Sequence, residues 1–284
     1  MTGAVGATIG VDIGGTRIRV GRRDAQGGVV AERILTPYSA AEGVAGIVAL
    51  ARQIAPEGVA TIGISAAGPL DFKQGIANPL NLPGWHGYRL VDELIGQLGA
   101  QVIMDNDANC AALAEWREGA GRGAATLVYY TISTGVGTGV IVDGKVLHGA
   151  HDTEGGHQIV WTDGPPCPCG ARGCLEAVIS GTGLRARFGK PAEELDDPAV
   201  WDEVAKYLAI GIANTAALIC PEVVIIGGGV IARGEALFGP LRRLLHEYIF
   251  IVPIPRVVPA GLGQDSGIIG ALVLAETQLA ERVS

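Results

Sequence analysis

A unit of strand, glycine turn and strand occurs twice in these 284 residues, and a repeat of that kind leaves few folds open. The apolar run Ala7 to Val11 leads into Asp12, and Arg17 to Gly21 resumes it after Gly14-Gly15-Thr16. Val29 to Pro37 reads as a third strand after the Gly27-Gly28 turn. The pattern restarts at Thr126 to Ile132, followed by a glycine turn over Ser133 to Gly139 and a strand over Val140 to Leu147, broken by an Asp143-Gly144 hairpin turn. Asp12-Ile13-Gly14-Gly15-Thr16 and Ser133-Thr134-Gly135-Val136-Gly137 therefore fall at like positions in two halves.

The first half continues with a capping-box signature, Ser39 and Glu42, that opens a helix to about Ile54. A strand over Val59 to Ser65, a long loop from Ala66 to Gly87, an amphipathic helix over Tyr88 to Leu98 and a short strand over Val102 to Met104 come next. A helix begins near Asp107 and runs to Glu118. The second half supplies helices up to Ile219, a strand over Val223 to Ile226, the Gly227-Gly228-Gly229 run, a helix around Glu235 to Ile249 and a last helix over Ser266 to Leu279. This order predicts two α/β domains, residues 1–117 and 118–265, packed about a cleft.

Composition narrows the function. The chain is 48% hydrophobic, which is ample for two cores, and its 44 glycines point to close backbone approaches. A net charge of −8 argues against a nucleic-acid partner. The N-terminus lacks the positive region of a signal peptide, and the most apolar stretch, Leu208 to Cys220, is too short to cross a bilayer. Of five cysteines, three cluster, and Cys110 and Cys220 lie in apolar helical runs; a reduced cytoplasmic setting fits best.

The cluster is His157 with Cys167, Cys169 and Cys174, held in a loop over 157–174 rich in Gly and Pro. Three thiolates and an imidazole form a closed tetrahedral zinc set, structural because no coordination position stays open. A redox pair or free thiols explain the spacing far less well. Once one nitrogen of His157 is on the metal, the other is oriented to meet a substrate. Glu154 and Glu176 flank the site.

The Asp12 to Thr16 turn offers backbone N–H groups and a hydroxyl to an anion, and Asp12 a carboxylate to Mg²⁺. The Ser133 to Gly139 turn is a similar cradle with Thr134 as an extra hydroxyl. Each alone is equally an ordinary hairpin; the pair favours phosphate. At Gly228 and its neighbours, backbone without side chains would let a purine ring lie flat, although simple strand-to-helix packing also explains them. Asn106 and Asp107 close a strand and open a helix, where the helix field keeps a carboxylate ionised; a plain N-cap is the simpler account of Asp107 in isolation. Asp105 would point to the opposite face if the strand reaches it.

Together Asp12-Ile13-Gly14-Gly15-Thr16, Ala67-Gly68-Pro69-Leu70-Asp71, Asn78 to Trp85, Asn106 to Ala112, Ser133 to Gly139, Glu154-Gly155-Gly156-His157 and Cys167 to Glu176 resemble the ROK family of sugar kinases and sugar-responsive repressors. The resemblance implies two ribonuclease H-like domains of the actin and hexokinase type, with the closing helix 266–284 returning to the first. It implies ATP-dependent phosphorylation of a hexose C6 hydroxyl, foremost glucose, in a homodimer or homotetramer with no membrane partner. Asp107 matches the catalytic base. Gly68, Asn106, Asp107 itself, Glu154, His157 and Glu176 match the sugar-binding positions. Asp12, Gly14, Gly15, Thr16 and Arg17, with Ser133, Thr134, Gly135, Gly137 and Gly228, match the ATP and Mg²⁺ positions. His157, Cys167, Cys169 and Cys174 match the structural Zn²⁺ ligands.

Three positions depart from the family pattern. Arg17 stands where Lys is frequent, Thr138 where Gly is common, and Gly155 where an apolar residue is usual. The first changes phosphate geometry, the second is expected to tighten its turn, and the third to loosen the sugar loop. An N-acetylmannosamine or other N-acetylhexosamine kinase has nearly the same motifs, and they do not separate ATP from polyphosphate. A repressor needs a helix-turn-helix ahead of the first strand, where only about six residues stand. A sugar-binding module without activity is disfavoured by the presence of both Asp12 and Asp107.

Overall fold

The computed structural model describes residues 6–79 and 82–283, so Leu80 and Asn81 of the Asn78 to Trp85 motif lie outside the described residues. Two compact units divide the chain: Met1–Ala114 with Gln264–Ser284, and Glu115–Gly263. The crossings lie at 114/115 and 263/264, a few residues before those read from the sequence.

In the first unit β1 (Ala7–Ile13), β2 (Arg17–Arg23) and β3 (Val29–Leu35) form an antiparallel meander. Helix α1 (Ala40–Ile54) crosses over to β4 (Val59–Ala66), parallel to β1. A small hairpin, β5 (Leu70–Asp71) with β6 (Ile76–Ala77), precedes α2 (Leu90–Leu98). The strand β7 (Gln101–Asn106) then adds parallel to β4, and α3 (Asp107–Arg117) follows it directly. The sheet order is β3-β2-β1-β4-β7.

Alternation explains how both faces of this sheet are covered. Ile9, Val11, Ile62 and Ile64 point into one core, together with Val44, Ile47, Leu90 and Leu94 from α1 and α2. The intervening residues Gly10, Gly21 and Gly63 face α8 (Ser266–Val283): a Cβ at Gly63 would collide with the Ala271 carbonyl, and one at Gly10 would sit 2.9 Å from Leu272 Cγ. Glycine on that face lets a helix lie almost on the backbone. Ser39 is the N-cap of α1 but makes no side-chain bond to the helix, so the capping box does not form as read.

The second unit reuses the design. β8 (Thr126–Ile132), β9 (Val136–Val142) and β10 (Lys145–Val146) form an antiparallel meander. Asp143 and Gly144, with φ of 49° and 77°, turn β9 into β10 as expected. Helices α4 (Leu175–Ile179), α5 (Gly181–Phe188) and α6 (Pro198–Ile219) lead to β11 (Val223–Gly227), parallel to β8. After α7 (Glu235–Tyr248), β12 (Arg256–Pro259) completes the order β10-β9-β8-β11-β12. β12 is four residues long, has one buried side chain and ends in Pro, which is why no strand pattern announced it. The core joins Val128, Tyr130, Ile132, Leu208, Ile212, Ile226, Leu241 and Leu245.

Cys220 does not lie in apolar helical surroundings: it is the exposed, left-handed C-cap of α6, with φ of 50°. Among the described residues no helix is long and apolar enough to cross a membrane.

Candidate active site

In the first unit the β1–β2 turn is closed by Gly14 N–H donating to the Arg17 carbonyl (3.0 Å), and the Thr36 hydroxyl donates to the Gly14 carbonyl (2.7 Å). Gly15, Thr16 and Arg17 stay exposed. Asp12 lies one residue below the turn. Its Oδ2 accepts from Arg19 Nε (3.1 Å) and Nη2 (2.9 Å), and its Oδ1 accepts from the Ser65 hydroxyl (3.2 Å). Arg19 is its register partner across the hairpin and also reaches Asp265 (2.9 Å). A Mg²⁺ at Asp12 would therefore meet a carboxylate already engaged on both oxygens, which favours contact through water over direct ligation.

β7 extends two residues beyond the predicted end, so the alternation runs on to Asn106. Asp105 is turned inward, 3% exposed, and accepts from Asn106 N–H (2.7 Å) and Asn109 Nδ2 (2.8 Å). Asp107 is the first residue of α3 and is exposed. Its Oδ1 and the Oδ1 of Asn106 both accept from Ala108 N–H (2.8 Å each), which puts two oxygens at the positive end of the helix. Gly68 packs on the same spot: a Cβ there would lie 3.0 Å from Asn106 Nδ2. Gly68, Asn106 and Asp107 are thus brought together.

In the second unit the β8–β9 turn is shorter than read. Ser133 N–H donates to the Gly135 carbonyl (3.0 Å) and β9 begins at Val136. Gly137 is consequently a strand residue paired with Thr131, not part of a cradle. The alignment of the two turns shifts as well. Ile13 and Ile132 end the equivalent strands, so Asp12 corresponds to Thr131 and not to Ser133. The periodic strands flanking the glycines hid this offset, because a shift of two residues leaves the apolar residues on the same face.

A cavity of about 660 Å³ opens beside this turn, lined by Ser133, Thr134, Gly181, Thr182, Trp201 and Gly229 among others. Gly181 and Thr182 N–H, at the start of α5, donate to the Ser133 and Thr134 carbonyls (2.7 and 3.2 Å). Arg233, at the cavity wall, stacks its guanidinium 4.6 Å from the Trp201 ring. Gly229 lines the cavity, whereas Gly228, at φ 85°, packs on the Ile132 carbonyl. Sequence reading missed Gly181, Thr182, Trp201 and Arg233, which sit in segments without a motif of their own.

The loop 157–174 is a double knuckle. Cys167 N–H donates to the Ala171 carbonyl (2.8 Å), Gly170 N–H to the Cys167 carbonyl (3.0 Å) and Gly173 N–H to the Pro165 carbonyl (2.8 Å). Gly173 has φ of 69°, and a side chain there would strike the Trp161 carbonyl, so the crossing requires glycine. The result brings His157, Cys167, Cys169 and Cys174 together with every ligand atom within 4.8 Å of the others. Cys169 and Cys174 sulfurs are 3.6 Å apart, and Cys167 Sγ is 3.5 Å from His157 Nδ1. Tetrahedral zinc bonds of about 2.1 and 2.3 Å give ligand separations of about 3.5 to 3.8 Å. Burial pushes the Cys174 thiol up to about 12 and raises Cys167, while a backbone N–H at Ala171 lowers Cys169. Three thiolates in this space require a cation, and the donor set suits zinc.

His157 turns Nδ1 to the cysteines and Nε2 to Glu154, whose Oε2 is 4.0 Å away. Cys174 caps α4, which places Glu176 in the first turn of that helix. The Glu176 carboxylate accepts from Val136 N–H (2.9 Å), and a Cβ at Gly135 would come within 2.6 Å of it. Gly135 therefore serves Glu176 rather than lining the cavity. Of the other histidines, His86 meets the Pro79 carbonyl (3.0 Å) and His148 lies 3.8 Å from Asp152, partners the sequence did not reveal.

The ROK family model matches residues 8–278. A glucokinase from Thermotoga maritima is 36% identical over 95% of this chain and 98% of its own length. Among solved structures, the ROK hexokinase of Thermus thermophilus matches with a TM-score of 0.84 at 31% identity, over 96% of this chain and 99% of that one. A ROK family glucokinase from Streptomyces griseus, in complex with glucose and AMPPNP, matches with a TM-score of 0.76 at 32% identity, over 96% and 100%. These matches run nearly end to end, over both meander sheets and the cysteine loop, and the chain belongs to the ROK family.

Proposed function

We propose that this chain is an ATP-dependent kinase that phosphorylates the C6 hydroxyl of a hexose, with glucose the preferred sugar. The observation that carries the reading is an exposed carboxylate at the head of a helix, Asp107, in a chain that matches glucokinases over 95–98% of their length. A loose phosphoryl-transfer transition state needs alignment and charge neutralisation more than a strong base. Asp107, at the positive end of its helix, orients the attacking hydroxyl and accepts its proton late.

Asn106, Glu154, His157 and Glu176 hydrogen-bond the remaining hydroxyls. Each sugar hydroxyl lost from such a set leaves a buried group unpaired, at about 1–3 kcal/mol. The β1–β2 turn and the cavity beside Ser133 and Thr134 receive the nucleotide, with Arg17 directed at phosphate. Bound Mg²⁺, near Asp12, would supply charge neutralisation to the transferring phosphoryl group. Structural zinc on His157, Cys167, Cys169 and Cys174 would fix the His157 tautomer and the start of α4.

A coupled ADP-release assay over a panel of hexoses and N-acetylhexosamines, with polyphosphate as a second donor, tests the reading. Glucose with ATP is expected to give the highest kcat/KM. Preference for N-acetylmannosamine would replace the sugar, and no turnover with any member would overturn the reading. Elemental analysis is expected to return one zinc per chain; none, with all three clustered thiols freely titratable, would remove the metal.

A further inference from the structure

Two of the departures from the family pattern meet in space. Thr138, on β9, is 5% exposed. Its hydroxyl donates to the Thr153 carbonyl (2.7 Å) and accepts from Gly155 N–H (2.9 Å). The Thr153 hydroxyl returns a longer bond to the Thr138 carbonyl (3.3 Å). A Cβ at Gly155 would stand 2.7 Å from Thr138 Cγ2, closer than real side chains pack. The threonine thus occupies the room a side chain at 155 would need. The loosening expected from Gly155 is offset: the residues before and after Glu154 are both tied to one buried hydroxyl.

We infer that Thr138 is a positioning residue for Glu154, an anchor of the sugar loop separate from the metal. His157 fixes the loop from its far end through the cysteines, and the Gln158 side chain adds a bond to the Gly155 carbonyl (2.9 Å). Neither holds the Thr153 carbonyl or the Gly155 amide. A valine at 138 keeps the shape and leaves both groups without that partner, whereas serine keeps the hydroxyl. The inference rests on the reading of Glu154 as a sugar ligand.

The test is steady-state kinetics and metal content of Thr138→Val, Thr138→Ser and Glu154→Gln, with the Val/Gln double variant. Thr138→Val is expected to raise the glucose KM about tenfold, the size of one lost hydrogen bond to a buried group, with the ATP KM and zinc content within about twofold of the parent. Thr138→Ser is expected to restore most of the glucose KM. In the Glu154→Gln background the valine is expected to add little, because the group it positions is already gone. Thr138→Val with an unchanged glucose KM, or with glucose and ATP KM rising together, overturns the inference while Glu154→Gln still reports on the sugar site. An unchanged glucose KM in Glu154→Gln overturns the sugar-ligand reading itself.

Discussion

The two hairpins that open the two sheets share a frame and differ in charge. Each is the first pair of a five-stranded sheet with the same order, antiparallel first and parallel after the crossover helix. At the foot of the first turn stands Asp12, clamped by Arg19 and Ser65. The equivalent residue of the second hairpin is Thr131, and a carboxylate reaches the turn from another element: Glu176 on α4, caught by Val136 N–H. The first unit thus carries its acids, Asp12 and Asp107, on the ends of sheet strands or directly after them. The second carries Glu154 and Glu176 on a loop and a short helix that a metal would secure. Repeating a fold repeats the positions of turns, and single residues decide what each turn does.

If the acids of the first unit, Asp12 and Asp107, serve phosphoryl transfer and those of the second, Glu154 and Glu176, serve sugar recognition, substitutions of these four should separate by unit. Asp107→Asn should lower kcat about 10³-fold, read by ADP release. Asp12→Asn should follow at about 10²-fold and shift the Mg²⁺ dependence. The metal loop supplies a structural version of the contrast. Gly173→Ala should cost the second unit about 3 kcal/mol, because strain at a left-handed residue adds to a clash with backbone. Gly99→Ala in the first unit has φ of 65° but open space, and should cost about 1 kcal/mol; thermal denaturation compares the two. Glu176→Ala should raise the glucose KM about tenfold and the ATP KM much less. Equal effects on both would place Glu176 with the nucleotide turn it touches. The smallest contrast lies at two helix caps. Ser180 accepts from Gly183 N–H (3.0 Å), so Ser180→Ala should cost about 1 kcal/mol, whereas Ser39→Ala should stay within about 0.5 kcal/mol.

Most of the strands and the clustering of His157 with three cysteines were legible because both rest on local patterns. Alternating apolar residues announce strands, and sulfur and imidazole in one short loop announce a metal whatever the tertiary context. Asn106 and Asp107 were legible from a strand end meeting a helix start. The cavity residues Thr182, Trp201 and Arg233 were not, since a cavity wall is assembled from elements far apart in sequence. The role of Gly135 stayed hidden for the same reason: a glycine that admits a distant carboxylate looks like any turn glycine. Thr138 and Gly155 looked like two separate oddities, one tightening and one loosening, until packing joined them.

The division of labour between the acids of the two units is tested most directly by calorimetric titration of glucose into Asp107→Asn and Glu154→Gln. The account requires near-parental affinity in the first variant and at least a tenfold loss in the second, the worth of one charged hydrogen bond. Equal losses in both, or a loss confined to Asp107→Asn, would contradict it.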